Sequence, residues 1–385
     1  MNNFIFENKT KVYFGKGGVK EYLGSLLGNY GETVMLAYGG GSIKRNGVYD
    51  EVMGILNAAG KRVVEFDRIM SNPTYAKVQE GAKLARENHV DLILAVGGGS
   101  VSDCCKVISA QANLDEDIWE MQYTKHTLPT KFIPLGTIVT VFGTGSEMNN
   151  GAVITNEEKK IKGALWGAQA EFAFLDPSYT LSVPMKQVIS GAFDTLSHAM
   201  ETYFGKPDEN NLSDDINEAV MRSVIRNIRV LLTDPENYDA RSELAWASAM
   251  AENGVLKIGK VTDFQCHMLE HQLGAYTNCN HGAGLAVIHP VLYRHIYKSG
   301  AARFARWAQN VWGIASKGSD EETALAGIDA LAAFIKEIGL PITFAELCIP
   351  ADTDFRAIAD STNVTAGCCK KLTHDEIYEI LTECK

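Results

Sequence analysis

Residues 90–111, VDLILAVGGGSVSDCCKVISAQ, admit few folds. The run from Val90 to Val96 is apolar almost without interruption, so a strand there must be buried on both faces. Only the interior of a parallel sheet with helices packed on either side buries a strand in that way. Gly97, Gly98 and Gly99 stop the run, and helical spacing resumes at once. A second apolar run stopped by glycines is TVMLAYGGGS, residues 33–42. Residues 11–15, 62–67 and 131–138 read as further strands, and 48–60 and 75–88 as amphipathic helices. The first half is therefore expected to form an open, mostly parallel sheet flanked by helices.

The pattern changes near Val183–Pro184. Helical periodicity follows at 188–204, 214–232, 239–258, 262–275, 302–313 and 321–338, punctuated at Gly205-Lys206-Pro207, Asp234-Pro235 and Gly339-Leu340-Pro341. A chain of 385 residues exceeds one ordinary core. The expectation is an α/β domain over 1–185 and an all-helical domain over 186–385. A formal net charge of −11 argues against nucleic acid and anionic membranes as partners. The start, MNNFIFENKTKVYF, lacks the apolar core of a secretory signal, and the uncharged run Phe132–Gly143 is too short to span a bilayer. The eight cysteines include the adjacent pairs Cys104–Cys105 and Cys368–Cys369 but no C-x-x-C, which fits neither a disulfide framework nor a cysteine zinc site. These features point to the cytoplasm.

The turn Gly97–Ser100 between a buried strand and a helix suits a phosphate, because glycine permits close approach and the helix N-terminus offers N–H groups. Ser100 is also a candidate cap for that helix. The spacing is neither G-x-G-x-x-G nor a Walker loop, and a plain tight turn accounts for the glycines equally well. The earlier turn is Gly39, Gly40, Gly41 and Ser42, with Lys44 and Arg45 beyond it. A dinucleotide fold selective for NAD(H) places a carboxylate on the ribose after such a strand. None stands here, while a hydroxyl and two cations do. That favours a 2′-phosphate and hence NADP(H), although a solvated surface turn would look the same.

The stretch CHMLEHQLGAYTNCNHGAG, residues 266–284, contains His267-x-x-Glu270-His271, the string of an inverted zinc peptidase. Asp194 and His198 stand four apart in GAFDTLSHAM, so on a helix both reach one ion. With His267, His271 and His281, one carboxylate and three imidazoles suffice for a divalent site compatible with Fe²⁺ or Zn²⁺. Taken singly, Asp194 and His198 serve as well as a surface or capping pair. His267 and His271 serve as a buried polar pair, and Asn280 or His281 as a helix cap.

VYFGKG, SNPTYAKVQEG, AVGGGSVSDCCK, TGSEMNNGAVITNEEKKIK, FLDPSYTLSVP, AFDTLSHAMETYF and CHMLEHQLGAYTNCNHGAGLAV follow one another along the whole chain. In them the sequence resembles the iron-containing (group III) alcohol dehydrogenases, in particular their butanol dehydrogenase and NADPH-dependent aldehyde reductase branch. The resemblance implies a dehydroquinate synthase-like architecture, with a dinucleotide-binding α/β domain, an all-α metal-binding domain and an active site in the cleft between them. It implies metal ligands at Asp194, His198, His267 and His281 and places His271 beside the substrate; there an imidazole, one turn on from His267, is the candidate proton relay. It implies cofactor contacts at Asn72, Gly98, Gly99, Ser100, Asp103, Thr140, Thr144, Ser146 and Lys162. Many relatives carry Asp at the position of Gly40, which suits NAD(H); this chain matches the NADPH branch. A homodimer is implied as well.

The reaction so implied is reversible hydride transfer between NADP(H) and a short- to medium-chain alcohol/aldehyde pair, with the metal as Lewis acid. Tyr276 and Trp166 suggest an apolar pocket for the substrate. The rivals are a glycerol dehydrogenase-like or dehydroquinate synthase-like enzyme, a nucleotide-binding sensor without turnover, and the peptidase. The last needs Glu270 as general base and leaves Asp194, His198 and His281 without roles.

Overall fold

A computed structural model describes residues 1–207, 209–364 and 369–385; Cys368 of the second adjacent cysteine pair lies outside them. The chain forms two compact units, Glu7–Pro184 and Met185–Lys385, the latter joined by Met1–Phe6. Residues 1–6 thus leave the domain assigned to them from sequence. The backbone N–H of Asn2 donates to the Gly259 carbonyl, and the Phe6 ring lies against Gly254.

The first unit carries the strands β1 (Lys11–Phe14), β2 (Thr33–Tyr38), β3 (Arg62–Phe66), β4 (Leu92–Gly97), β5 (Leu135–Val139), β6 (Gly151–Asn156), β7 (Ile161–Trp166) and β8 (Phe172–Leu175). Its helices are α1 (Gly18–Leu27), α2 (Ser42–Arg45), α3 (Val48–Ala58), α4 (Tyr75–Glu87) and α5 (Gly99–Gln111). Six strands form one parallel sheet in the order β1-β8-β5-β4-β2-β3. Alternate residues of its central strands face opposite cores. Leu92, Leu94 and Val96 of β4 pack with Val19 and Leu23 of α1 and Val52 of α3. Ile93 and Ala95 pack with Val78 of α4 and Ile108 of α5. Both faces are covered, which is why β4 reads as an unbroken apolar run.

Three features of this unit differ from the reading above. β5 begins at Leu135, not Lys131: Pro134 has no N–H for the ladder, and the N–H of Ile133 goes to the Ser109 carbonyl. Strands β6 and β7 form a separate antiparallel hairpin. Ser100 lies inside α5 rather than at its cap, which is Gly98.

In the second unit are α6 (Met185–Tyr203), α7 (Leu212–Thr233), α8 (Tyr238–Glu252), α9 (Gln265–Thr277), α10 (His281–Ile296), α11 (Ala301–Trp312), α12 (Asp320–Glu337), α13 (Phe355–Ser361) and α14 (His374–Glu383). One continuous apolar core runs from Ile189 of α6 to Leu381 of α14. Helix α8 stops at Glu252, short of the predicted 258, because Gly254 takes φ 94° and redirects the chain. Helix α10 has Pro290 in its interior and glycines in its first turn, composition that masks it in sequence. No helix among the described residues is long and apolar enough to cross a membrane.

Candidate functional site

The strand order places the two glycine turns side by side. β2 and β4 are neighbours, with Tyr38 opposite Val96. From β2 the chain steps outward to β3 and then returns across the sheet to β4 and β5. A parallel sheet binds ligands outside the carboxyl ends of its strands where the order reverses in this way. Gly39–Ser42 follows β2 and Gly97–Ser100 follows β4, so both turns flank the reversal.

Most of the remaining cofactor candidates gather near the second turn. Ser100 donates from Oγ to the Ser71 carbonyl, beside Asn72. Thr155 of β6 donates its N–H to the Pro73 carbonyl at 2.9 Å, and Thr155 pairs with Lys162 of β7. The N–H of Thr140 reaches the Gly97 carbonyl at 2.9 Å. A Cβ at Gly99 would stand 2.2 Å from Thr144 Oγ1, so packing within the protein already demands glycine there, independently of a phosphate. Asp103 accepts from Ser146 Oγ and from the Val153 N–H at 2.9 Å. Those bonds make Asp103 and Ser146 braces of the loop that carries Thr144. Lys106, unremarked in the sequence, is fully buried and donates to Asn149 Oδ1 and the Gly151 carbonyl at 2.9 and 2.7 Å.

At the first turn Gly41 takes φ 88°, and a Cβ at Gly40 would meet nothing within 4 Å. Lys44 is held: its Nζ lies 4.4 Å from the Tyr49 ring centre and 3.4 Å from Glu65 Oε2. Glu65 also accepts from Tyr38 at 2.5 Å and Tyr49 at 2.9 Å. The carboxylate of Glu65, near the end of β3, is thereby engaged within the protein.

In the second unit, Asp194, His267 and His281 bring ligand atoms within 4.8 Å of one another. Nε2 of His267 and Nε2 of His281 each lie 3.4 Å from Asp194 Oδ1. His198 flanks the three, its Nδ1 3.8 Å from Asp194 Oδ1 and its ring stacked on His267 at 4.5 Å. Asp194 Oδ1, His198 Nδ1 and His267 Nε2 are buried without hydrogen-bond partners. A buried polar atom without a partner is costly, and a cation within the cluster would satisfy these at once. Burial opposes charge on Asp194, but His198, His281 and His267 hold its carboxyl well below the ordinary range. Burial also opposes charge on His267, but Glu201 and Asp194 push its imidazolium up to about 10. The cluster therefore calls for positive charge, and its donor set fits a divalent ion of the Fe²⁺ or Zn²⁺ kind.

Behind the two imidazoles stand two carboxylates. His267 Nδ1 bonds Glu201 Oε2, and His281 Nδ1 bonds Glu270 Oε2. Glu201 escaped the sequence reading, although Asp194, His198 and Glu201 at i, i+4 and i+7 share one face of α6. Glu270 is fully buried and held by His281, which removes it as a general base for the peptidase reading. The first turn of α10 explains the glycines of HGAG. A Cβ at Gly282 would stand 2.2 Å from the Ser190 carbonyl, and one at Gly284 2.9 Å from Glu270 Cγ. Asn280 caps this helix by accepting the Ala283 N–H at 3.1 Å, so a cap and a site residue stand side by side. His271 is buried, its ring 5.4 Å from that of His281 and 5.8 Å from that of His267. Tyr276 packs on the helical core, and Trp166 is half exposed on β7.

Residues 9–177 match the family model described as iron-containing alcohol dehydrogenase. Residues 188–384 match that of the C-terminal part of the Fe-containing alcohol dehydrogenase family. The probable NADH-dependent butanol dehydrogenase 1 of Bacillus subtilis (strain 168) is 40% identical over 99% of both chains. The NADPH-dependent aldehyde reductase YqhD of Escherichia coli (strain K12) is 37% identical over 89% of this chain and 88% of its own. The crystal structure of NADH-dependent butanol dehydrogenase A from Thermotoga maritima superposes with a TM-score of 0.94 at 34% identity, covering 100% of this chain and 99% of that one.

Proposed function

We propose, since the chain belongs to the iron-containing alcohol dehydrogenase family, that it interconverts short- to medium-chain aldehydes such as butyraldehyde and their primary alcohols with NADP(H). The observation that carries the reading is the convergence of two Nε2 atoms on Asp194 Oδ1 while both Nδ1 atoms are held from behind. Asp194, His198, His267 and His281 would hold the ion, Fe²⁺ or Zn²⁺. When bound, the ion supplies Lewis acidity at the substrate oxygen and the nicotinamide supplies or accepts the hydride. Gly98, Gly99 and Ser100 would present N–H groups at the start of α5 to the pyrophosphate, with Asn72, Thr140, Thr144 and Lys162 around it. Asp103 and Ser146 would act from behind, by holding the Thr144 loop. The cofactor set lies in the first unit and the ligand set in the second, so turnover needs both.

Preference for NADP(H) rests on the turn Gly39–Ser42, where the space beside Gly40 is open and Glu65 is engaged by Tyr38, Tyr49 and Lys44. Relatives named for NADH and for NADPH are both similar to this chain. The test is kcat/KM for NADPH and NADH with butyraldehyde: at least a tenfold advantage for NADPH, about 1.4 kcal/mol, is expected, and an NADH preference overturns the assignment.

His271 would give or take the proton at the substrate oxygen, an imidazole being suited to transfer near neutral pH. His271→Ala should lower kcat and flatten its pH profile while metal content is kept; an unchanged profile overturns the role. We propose a homodimer, which light scattering tests: a mass of 42.0 kDa, that of one chain, would overturn it.

A further inference from the structure

We infer that Glu201 and Glu270 are the positioning residues of the metal centre, each fixing the tautomer and orientation of one ligand imidazole. The inference rests on the ligand set proposed above. A neutral imidazole carries one N–H, and a carboxylate at Nδ1 draws the proton there, leaving the Nε2 lone pair for a cation. His267 and His281 both show this arrangement, and both turn Nε2 toward Asp194.

The two carboxylates are themselves held. Glu201 Oε1 accepts the backbone N–H of Cys266 at 2.6 Å and of His267 at 3.3 Å, in the first turn of α9. One side chain of α6 therefore orients the helix that carries His267 as well as the ring itself. Ser197 Oγ stands 3.5 Å from Glu201 Oε2 and 2.6 Å from His289 Nε2, which places a further polar layer behind it. Glu270, on α9, reaches across to His281 at the start of α10, and the missing side chain of Gly284 makes room for it. Cys279 donates to its Oε1 at 3.7 Å. With Asp194 facing the start of α10, the contacts close a ring from α6 to α9, from α9 to α10, and back to α6.

The halves of the ring differ in exposure. The His267 side chain is 2% exposed and that of His281 25%. Water can partly replace the second carboxylate but not the first, so Glu201 carries the larger effect.

The test is Zn²⁺ affinity of the full-length chain, measured by competition with a chelating dye, for wild type, Glu201→Gln, Glu270→Gln and His267→Ala. The visible absorption bands of the Co²⁺-loaded forms are recorded alongside. Both glutamine variants are expected to weaken Zn²⁺ binding about 10- to 100-fold, Glu201→Gln more than Glu270→Gln, and to shift the Co²⁺ bands. A merely structural role would lower the melting temperature of the metal-free protein and leave the bands in place. If the glutamine variants bind Zn²⁺ within twofold of wild type with unshifted bands while His267→Ala does not bind, the inference falls and the ligand set stands. If His267→Ala binds as wild type does, the ligand set falls and the inference with it. Should Glu201→Gln fail to fold, Glu270→Gln, which leaves the start of α9 untouched, decides the matter by the same two readouts.

Discussion

Glu147 is a carboxyl with nowhere to put its charge. It lies in the short turn Ser146–Met148, buried, with no hydrogen-bond partner for Oε1. Burial pushes its pKa up to about 7, against the opposing pull of its own backbone N–H and of Lys106. The folded carboxyl thus binds its proton more tightly than the unfolded one, whose value is 4.5. The stabilisation is complete below the unfolded value and is lost as pH rises through about 7. At 1.36 kcal/mol per unit the loss is roughly 3 kcal/mol. Glu147→Gln removes the ionisation and should raise the melting temperature relative to wild type at pH 8, with little difference at pH 4. Equal shifts at both pH values would show that this carboxyl does not titrate as described. The identity of Glu147 is plain in TGSE, but its burial is not, because a glutamate in a glycine-rich turn ordinarily faces water.

Among the elements, α10 shows how closely backbone approach governs the centre. Its first turn runs against Ser190 of α6 and Glu270 of α9 at distances that leave no space for a methyl group at Gly282 or Gly284. Gly284→Ala should push α10 away from α9, at a cost of about 1–3 kcal/mol, and loosen the hold of Glu270 on His281. The expected result is a lower melting temperature together with weaker Zn²⁺ retention on dialysis. Retention equal to wild type would show that the helix shifts without disturbing the site. HGAG could be singled out in sequence as a string, yet the reason for its glycines lay in the neighbours they meet. The helix itself was hidden because Pro290 and two glycines depress its local propensity, which burial of Leu285, Ile288 and Leu292 overrides.

For the whole molecule, one divalent ion would couple α6, α9 and α10 where Asp194 Oδ1, His198 Nδ1 and His267 Nε2 lack hydrogen-bond partners. A ligand bound only by the folded state stabilises it by mass action. Chelation and dialysis should therefore lower the melting temperature by several degrees, and added Zn²⁺ or Fe²⁺ should restore it. On the proposed cofactor set, excess NADPH would act through the other unit and should raise the transition without metal. A melting curve indifferent to chelation, for protein shown to contain metal beforehand, would contradict this coupling.

The sequence by itself determined the two architectures. Apolar runs between glycine turns require a helix-covered parallel sheet, and Asp194-x-x-x-His198 sets two donors on one helical face, because these are properties of local spacing. The long resemblance, from VYFGKG to NHGAGLAV, carried the family. Only the tertiary structure decided what depends on distant neighbours. It set β2 beside β4, so that both glycine turns open at the reversal of strand order. It returned Met1–Phe6 to the helical unit. It also separated the roles within CHMLEHQLGAYTNCNHGAG: His267 and His281 turn to Asp194, and Glu270 is buried behind His281. Glu201 and His267 stand 66 positions apart in the chain, and packing rather than periodicity makes them partners.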